Sequence, residues 1–328
     1  MIHVATSHTD DPTWIPIQAR YFERFLTEEY RTYALLSGIA DTAPYEHLFY
    51  YFSRENVCSQ AGAWEPSIAH AIKLNLLADM ILARAGSDSD LILFLDGDAF
   101  PIGDLAAFAR TALREYPLLA VQRLENGGDT QPHPCGCITT VGFWRSIRGD
   151  WKPGYKWTNS QGEKITDTGG NLLGQLEAGN HRWLPLLRSN AVELHSLWFG
   201  VYHDLIYHHG AAFRSPLCRM EARMTHERIF ASPRTRIPSA TIKKLAVLLT
   251  HLSRKFSNLA HRVNCLDPEE RAKARQADQN QRLGAEVFEA VVQDPTFYTR
   301  FTSRADGVAG DQRQGAEAET RMPVAVEK

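Results

Sequence analysis

Hydrophobic positions follow two alternating patterns over the first 125 residues of the chain. Ile2–Ser7 is a short apolar run with β-branched residues, the mark of a buried strand. Trp14–Gly38 then carries Tyr21, Phe25, Tyr30 and Leu35 at helical spacing, with Gly38 as a stop, and is predicted to be one helix. Tyr45–Ser53 is predicted to be the next strand. Pro66–Gly86 has the clearest helical pattern, because Pro66 suits a first turn and Ile68, Ile72, Leu76 and Met80 recur along it. Leu91–Leu95 is wholly apolar and stops at Asp96-Gly97-Asp98, Leu105–Tyr116 reads as a helix, and Leu118–Arg123 reads as a strand. Strands alternating with helices predict right-handed βαβ units and a mostly parallel sheet. A strand apolar at every position, such as Leu91–Leu95, is expected where both sheet faces are covered.

Beyond Asn126 the pattern changes. Gly, Pro, Trp and His dominate Gly127–Lys164, which predicts a long, loop-rich segment with short strands. Leu172–Ala178 is predicted to be helical. Leu197–Tyr202 and Leu205–His209 are predicted to pair around a His203-Asp204 turn. Arg219–Phe230, Ser239–Val263 and the stretch from Glu269 read as helices, and the tail from Ser303 is expected to be disordered. The division that follows is a domain over residues 1–215, a helical extension over 216–302 and a tail over 303–328.

Composition narrows the class. The 328 residues are 44% hydrophobic, and Lys+Arg 36 nearly balances Asp+Glu 38, so no basic excess suits wrapping nucleic acid. The longest apolar runs fall far short of the ~20 residues that span a bilayer. Met1-Ile2-His3-Val4 does not open like a secretory signal, and the five cysteines form no regular framework. A cytoplasmic, globular protein with reduced thiols is expected.

The most informative segment is Leu91-Ile92-Leu93-Phe94-Leu95-Asp96-Gly97-Asp98. It places two carboxylates where a buried strand leaves the sheet, and ligands of open α/β sheets bind beyond the carboxyl ends of strands. Close carboxylates repel unless a proton or cation lies between them. A hard divalent cation with a diphosphate satisfies them, and Gly97 lets the backbone approach a bound group. An ordinary Asp-Gly surface turn is the plain alternative.

With this motif in place, the sequence resembles the GT-A class of nucleotide-sugar glycosyltransferases. The resemblance spans about residues 1–214, through Asp96-Gly97-Asp98, Asp167-Thr168-Gly169-Gly170 and Tyr207-His208-His209-Gly210. It implies a Rossmann-like α/β domain with a mostly parallel sheet, followed here by C-terminal helices. It also implies transfer of a sugar from a nucleotide diphosphate to a hydroxyl of a glycan or lipid-linked acceptor, as in cell-surface glycan synthesis. Asp96 and Asp98 would hold Mn2+ or Mg2+ against the donor's diphosphate. A downstream histidine would complete the metal shell; His209 fits better than His208, although His208 and His209 point to opposite faces of a strand and either could serve. Arg214 would lie near the diphosphate, and Thr6 and Ser7 would contact the nucleotide. A haloacid-dehalogenase-type phosphatase also uses Asp-X-Asp after a hydrophobic strand, but its pattern continues with Thr where Ala99 stands here. A non-catalytic sugar-binding module is the remaining alternative.

Other residues carry a chemical and a plain reading side by side. Asp167 precedes a helix and could face the acceptor hydroxyl as a base, or simply cap the helix. His70 and Lys73 share a helix face, and Lys73 could touch phosphate or base or be solvated. His133-Pro134-Cys135-Gly136-Cys137 lacks a second ligand pair for a closed zinc site and is expected to be a loop near the acceptor. Trp144, Trp151, Trp157 and Trp183 could stack on sugar or fill the core. No acidic residue stands between Glu227 and Asp267 while basic residues accumulate there. Residues 239–263 could therefore lie on the anionic inner face of a membrane, or dock as a helix with a basic outer face.

Overall fold

In the computed structural model, a seven-stranded sheet forms the centre of the molecule. Residues 1–54, 66–190 apart from 127 and 161, 199–210, and a C-terminal stretch at 282, 285–294 and 296–297 are described. The predicted helices at 219–230 and 239–263, the predicted tail and Arg214 lie outside these residues, as does most of the proposed extension over 216–302. No helix among the described residues is long and apolar enough to cross a membrane.

The expected α/β architecture is present. Strand β1 (Ile2–Thr9) leads through helix α1 (Trp14–Phe25) to β2 (Tyr30–Ser37), and β3 (Tyr51–Ser53) continues outward on that side. Helix α2 (Pro66–Leu82) carries the chain back across to β4 (Leu91–Asp96), on the other side of β1. These four strands run parallel in the order β3-β2-β1-β4, the arrangement of a Rossmann half. Beyond β4 come β7 (His133–Thr140), antiparallel to both neighbours, then β6 (Leu118–Val121) and β10 (Leu184–Leu186). The strand order reverses between β1 and β4, which opens a crevice where those two strands end.

The apolar β4 has the two-sided burial its sequence requires. Leu91, Leu93 and Leu95 enter a core with Trp14, Tyr21 and Phe22 of α1 and with Leu105 and Ala109 of α3 (Leu105–Ala112). Ile92 and Phe94 enter the opposite core with Leu74, Leu77 and Ile81 of α2, Trp144 of α4 (Val141–Ile147) and Leu172 of α5 (Gly170–Ala178). Each such Leu or Phe contributes roughly 1.5–3 kcal/mol by leaving water. Residues 285–293 are helical and pack on α1: Arg20 donates to the Val291 and Val292 carbonyls, and Phe288 meets Trp14 edge-on.

Three predicted elements are corrected. Trp14–Gly38 is not one helix, because α1 ends at Phe25 and Tyr30–Ser37 is β2. Tyr30 and Leu35 fit a helical spacing by coincidence; the run from Thr32 to Ser37 is buried on both strand faces, and Ile2↔Tyr30 begins its register with β1. Tyr45–Ser53 begins as a 3-10 turn over Ala43–Leu48, where Pro44 is pre-set for a first turn, and only Tyr51–Ser53 is strand. Gly127–Lys164 contains the eight-residue β7 and then α4, whose Thr140 accepts a capping bond from the Phe143 N–H, while the expected short strands are β8 (Trp157–Thr158) and β9 (Lys164–Ile165), which pair antiparallel. Pro134 and Gly136 argue against a strand inside a sheet, but the register steps from Ala120↔Cys137 to Val121↔His133. The residues between sit in a bulge and owe the ladder no hydrogen bonds.

A second, three-stranded sheet sets one strand against the acidic segment. β11 (Gly200–Tyr202) and β12 (Ile206–His208) form the predicted hairpin, and His203 and Asp204 both take positive φ (54° and 53°), as a tight I′-type turn requires. β12 pairs antiparallel with β5 (Ala99–Pro101), placing His208 opposite Ala99.

Candidate active site

Six segments converge where β1 and β4 end: the end of β1, the turn from β4 to β5, α1, α2, β7 and β12. Ser7 lies beside Asp96 in the parallel register, so Thr6, Ser7 and His8 border the acidic motif. Gln18 of α1 donates to the carbonyls of Asp96 (3.0 Å) and Ala99 (2.7 Å) and so clamps the turn from β4 to β5. Gly97 also serves the fold: a Cβ there would sit 2.6 Å from the Ser7 carbonyl oxygen, so its bareness lets the turn close against β1.

The two carboxylates face histidines. His70 Nε2, on α2, lies 2.9 Å from Asp96 Oδ1. His208 Nε2 stands between the pair, 3.4 Å from Asp96 Oδ2 and 3.5 Å from Asp98 Oδ1. The strand pairing explains this position, since β12 lies directly alongside β5 and the His209 N–H donates to the Asp98 carbonyl at 3.1 Å. His208 is thus the histidine directed at the pair, and the expectation that favoured His209 is corrected. His209 points to the opposite face, where its Nδ1 bonds the Tyr207 hydroxyl (2.7 Å) and its ring lies 4.8 Å from that of Trp14.

Electrostatics separate the two aspartates. Burial would raise Asp96, but His70, His208 and His133 outweigh it and hold this carboxyl well below the usual range. Asp98 is pushed up to about 8, first by burial and then by the charge of Asp96 beside it. Burial lowers His208 to about 4 against the pull of Asp96, and lowers His209 to about 3. His133 also falls well below its ordinary value through burial and the neighbouring Arg123, whose Nη1 approaches its Nε2 at 3.2 Å. The result is a half-buried pair of carboxyl groups facing the imidazoles of His70 and His208. This donor set suits a divalent cation, whose charge would favour the ionised form of both carboxyl groups.

The segment His133–Cys137 is part of this centre and not a separate loop. The bulge in β7 divides its cysteines between the two cores, Cys135 on one face and Cys137 on the other. Ligand atoms of Asp96, Cys135 and His208 all lie within 4.8 Å of one another. The His133 ring is 6.0 Å from that of His208, and its Nδ1 accepts the Cys135 N–H at 3.1 Å.

Asp167 does not cap its helix. The N-cap of α5 is Gly169, at φ 91°, with no side-chain capping bond. The Asp167 carboxylate instead accepts from the Ser67 hydroxyl (2.5 Å) and the Thr168 N–H (2.8 Å). Ser67 lies one turn from His70 on α2, so one helix end links Asp167 to the residue that holds Asp96. Lys73, a further turn along, is buried and donates to Thr9 Oγ1 at 2.7 Å, where it secures the end of β1. Trp144, Trp151 and Trp157 are buried core residues, and Trp183 packs partly buried against the same core as the first two.

Sequence reasoning missed Gln18, the bonding of His70 to Asp96, and the place of His133 and Cys135. The His70 spacing on one helix face was a usable signal. The contribution of β7 was hidden by Pro134 and Gly136.

No protein-family model matches the chain, and no curated protein matches it. Among solved structures it is similar to galactosyltransferase LgtC in complex with donor and acceptor sugar analogs, at 18% identity over 54% of this chain and 70% of that one (TM-score 0.34). It is also similar to TarS from S. aureus, at 12% identity over 88% and 91% of the two chains (TM-score 0.39). A third is mannosyltransferase PcManGT from Pyrobaculum calidifontis in complex with GDP-Man and Mn2+, at 11% identity over 89% and 87% (TM-score 0.39).

Proposed function

We propose that this protein is a divalent-cation-dependent glycosyltransferase that moves a sugar from a nucleoside-diphosphate donor to a hydroxyl of a glycan or lipid-linked acceptor. The observation that carries the reading is His208 Nε2 set 3.4 and 3.5 Å from the two carboxylates at the crevice between β1 and β4. Asp96, Asp98 and His208 would hold the cation, which when bound offsets the negative charge that collects on the departing diphosphate. His70 fixes the orientation of Asp96, and Gln18 fixes the turn between the two aspartates. Thr6 and Ser7 border the nucleotide, with Lys73 bracing their strand end and Arg214 assigned to the diphosphate. Asp167, held by Ser67, would accept the proton of the acceptor hydroxyl or orient that hydroxyl. The basic stretch 239–263 is assigned to anionic lipid, as suits a lipid-linked acceptor.

Incubation of the full chain with a panel of nucleotide sugars, with Mn2+, with Mg2+ and with chelator, tests this reading. Cation-dependent release of nucleoside diphosphate is expected for at least one donor. Rapid hydrolysis of simple phosphomonoesters with no turnover of any nucleotide sugar would assign Asp96 to a phosphatase nucleophile instead.

A further inference from the structure

We propose that Cys135 supplies a sulfur ligand to this cation site, so that the protein prefers a thiophilic divalent cation, Zn2+ or Co2+, over Mg2+. The proposal rests on the reading of Asp96, Asp98 and His208 as a cation site and deepens it. Three observations carry it. The Cys135 sulfur, an Asp96 oxygen and a His208 nitrogen lie within 4.8 Å of one another, and bonds of about 2.0–2.3 Å bring such atoms around one ion after a small contraction. The β7 bulge turns Cys135 toward this group and leaves Cys137 in the opposite core. His133 Nδ1 accepts the Cys135 N–H, which fixes the backbone that presents the thiol.

Ligand chemistry then sets the preference. Carboxylates alone suit Mg2+ or Mn2+, whereas imidazole and thiolate favour later and softer ions. Asp96, His208 and Cys135 make three protein ligands. Asp98 would be a fourth, and expansion to five-coordination would admit a donor oxygen. On binding, a sulfur–metal bond replaces the sulfur–hydrogen bond and the thiol proton passes to solvent. No redox partner is required.

The test is X-ray absorption on the full chain loaded with one equivalent of Zn2+. A sulfur scatterer is expected at about 2.3 Å, beyond the nitrogen and oxygen shell at about 2.0–2.2 Å. Cys135→Ser, near in size to the native residue, should remove the sulfur shell. It should weaken Zn2+ binding at least about tenfold while changing Mg2+ binding less than about threefold. A second variant, with Ser in place of the cysteines at 58, 137, 218 and 265, should keep the sulfur shell, and decides the matter if Cys135→Ser does not fold. Zn2+ bound by nitrogen and oxygen only would overturn the sulfur ligand and leave the cation site standing. No Zn2+, Co2+, Mn2+ or Mg2+ binding by the folded wild-type chain would overturn both.

Discussion

At the residue scale, the two adjacent histidines divide into separate roles. His208 faces the carboxylates, and His209 is fixed between Trp14 and the Tyr207 hydroxyl. His208→Gln is therefore expected to weaken cation binding at least about tenfold with little change in melting temperature. His209→Gln should do the reverse, costing about 1–3 kcal/mol of stability through the lost buried hydrogen bond while cation affinity holds. Titration calorimetry and thermal unfolding of both variants check the pair. Asp167 gives a second contrast, because Gly169 and not Asp167 caps α5. Asp167→Asn should leave stability and donor affinity near wild type and lower transfer by roughly 10²–10⁴-fold. Unimpaired turnover in that variant would remove Asp167 from the acceptor side.

At the element scale, the turn joining β4 to β5 shows why a three-residue motif needs its sheet. The Asp-Gly-Asp spacing was legible because an apolar strand precedes it. That the glycine faces β1 was not legible, since only the parallel register sets Ser7 beside Asp96. Gly97→Ala forces a methyl against the Ser7 carbonyl, and the overpacking should cost about 1–3 kcal/mol and lower cation affinity, measurable by denaturant unfolding and calorimetry. The βαβ grammar, the apolar β4 and the β11–β12 hairpin could be read from local pattern. β7 could not, because its Pro134 and Gly136 break the local rule for a sheet interior and only long-range pairing around a bulge accommodates them. The helical spacing assigned to Tyr30 and Leu35 failed for a related reason: a strand buried on both faces has no period of its own to display.

At the scale of the whole molecule, buried titrating groups couple the site to stability. His8, His133, His208 and His209 all fall below the ordinary value of 6.5, chiefly through burial, so up to that pH the unfolded chain binds more protons and stability rises with pH. Asp98 acts in the opposite sense. Folded, it keeps its proton up to about 8 while the unfolded residue has lost it near 3.8, so its contribution falls as pH rises between those values. Below 6.5 the several histidines outweigh it; from 6.5 to about 8 Asp98 dominates. Melting temperature without metal is thus expected to rise to about pH 6.5 and then decline, and a saturating divalent cation should remove the decline by favouring the ionised carboxylate. A decline unaffected by every cation tested would place its source elsewhere.

The crevice between β1 and β4 is proposed to bind a nucleotide sugar through a cation held by the acidic pair. Equilibrium binding of nucleotide sugars to the full chain and to Asp98→Asn, each with and without divalent cation, tests it most directly. Donor binding by the wild-type chain is expected only with cation, and is expected to be lost in an Asp98→Asn protein that remains folded. Equal donor affinity in both proteins, or wild-type affinity indifferent to cation and chelator, would contradict it.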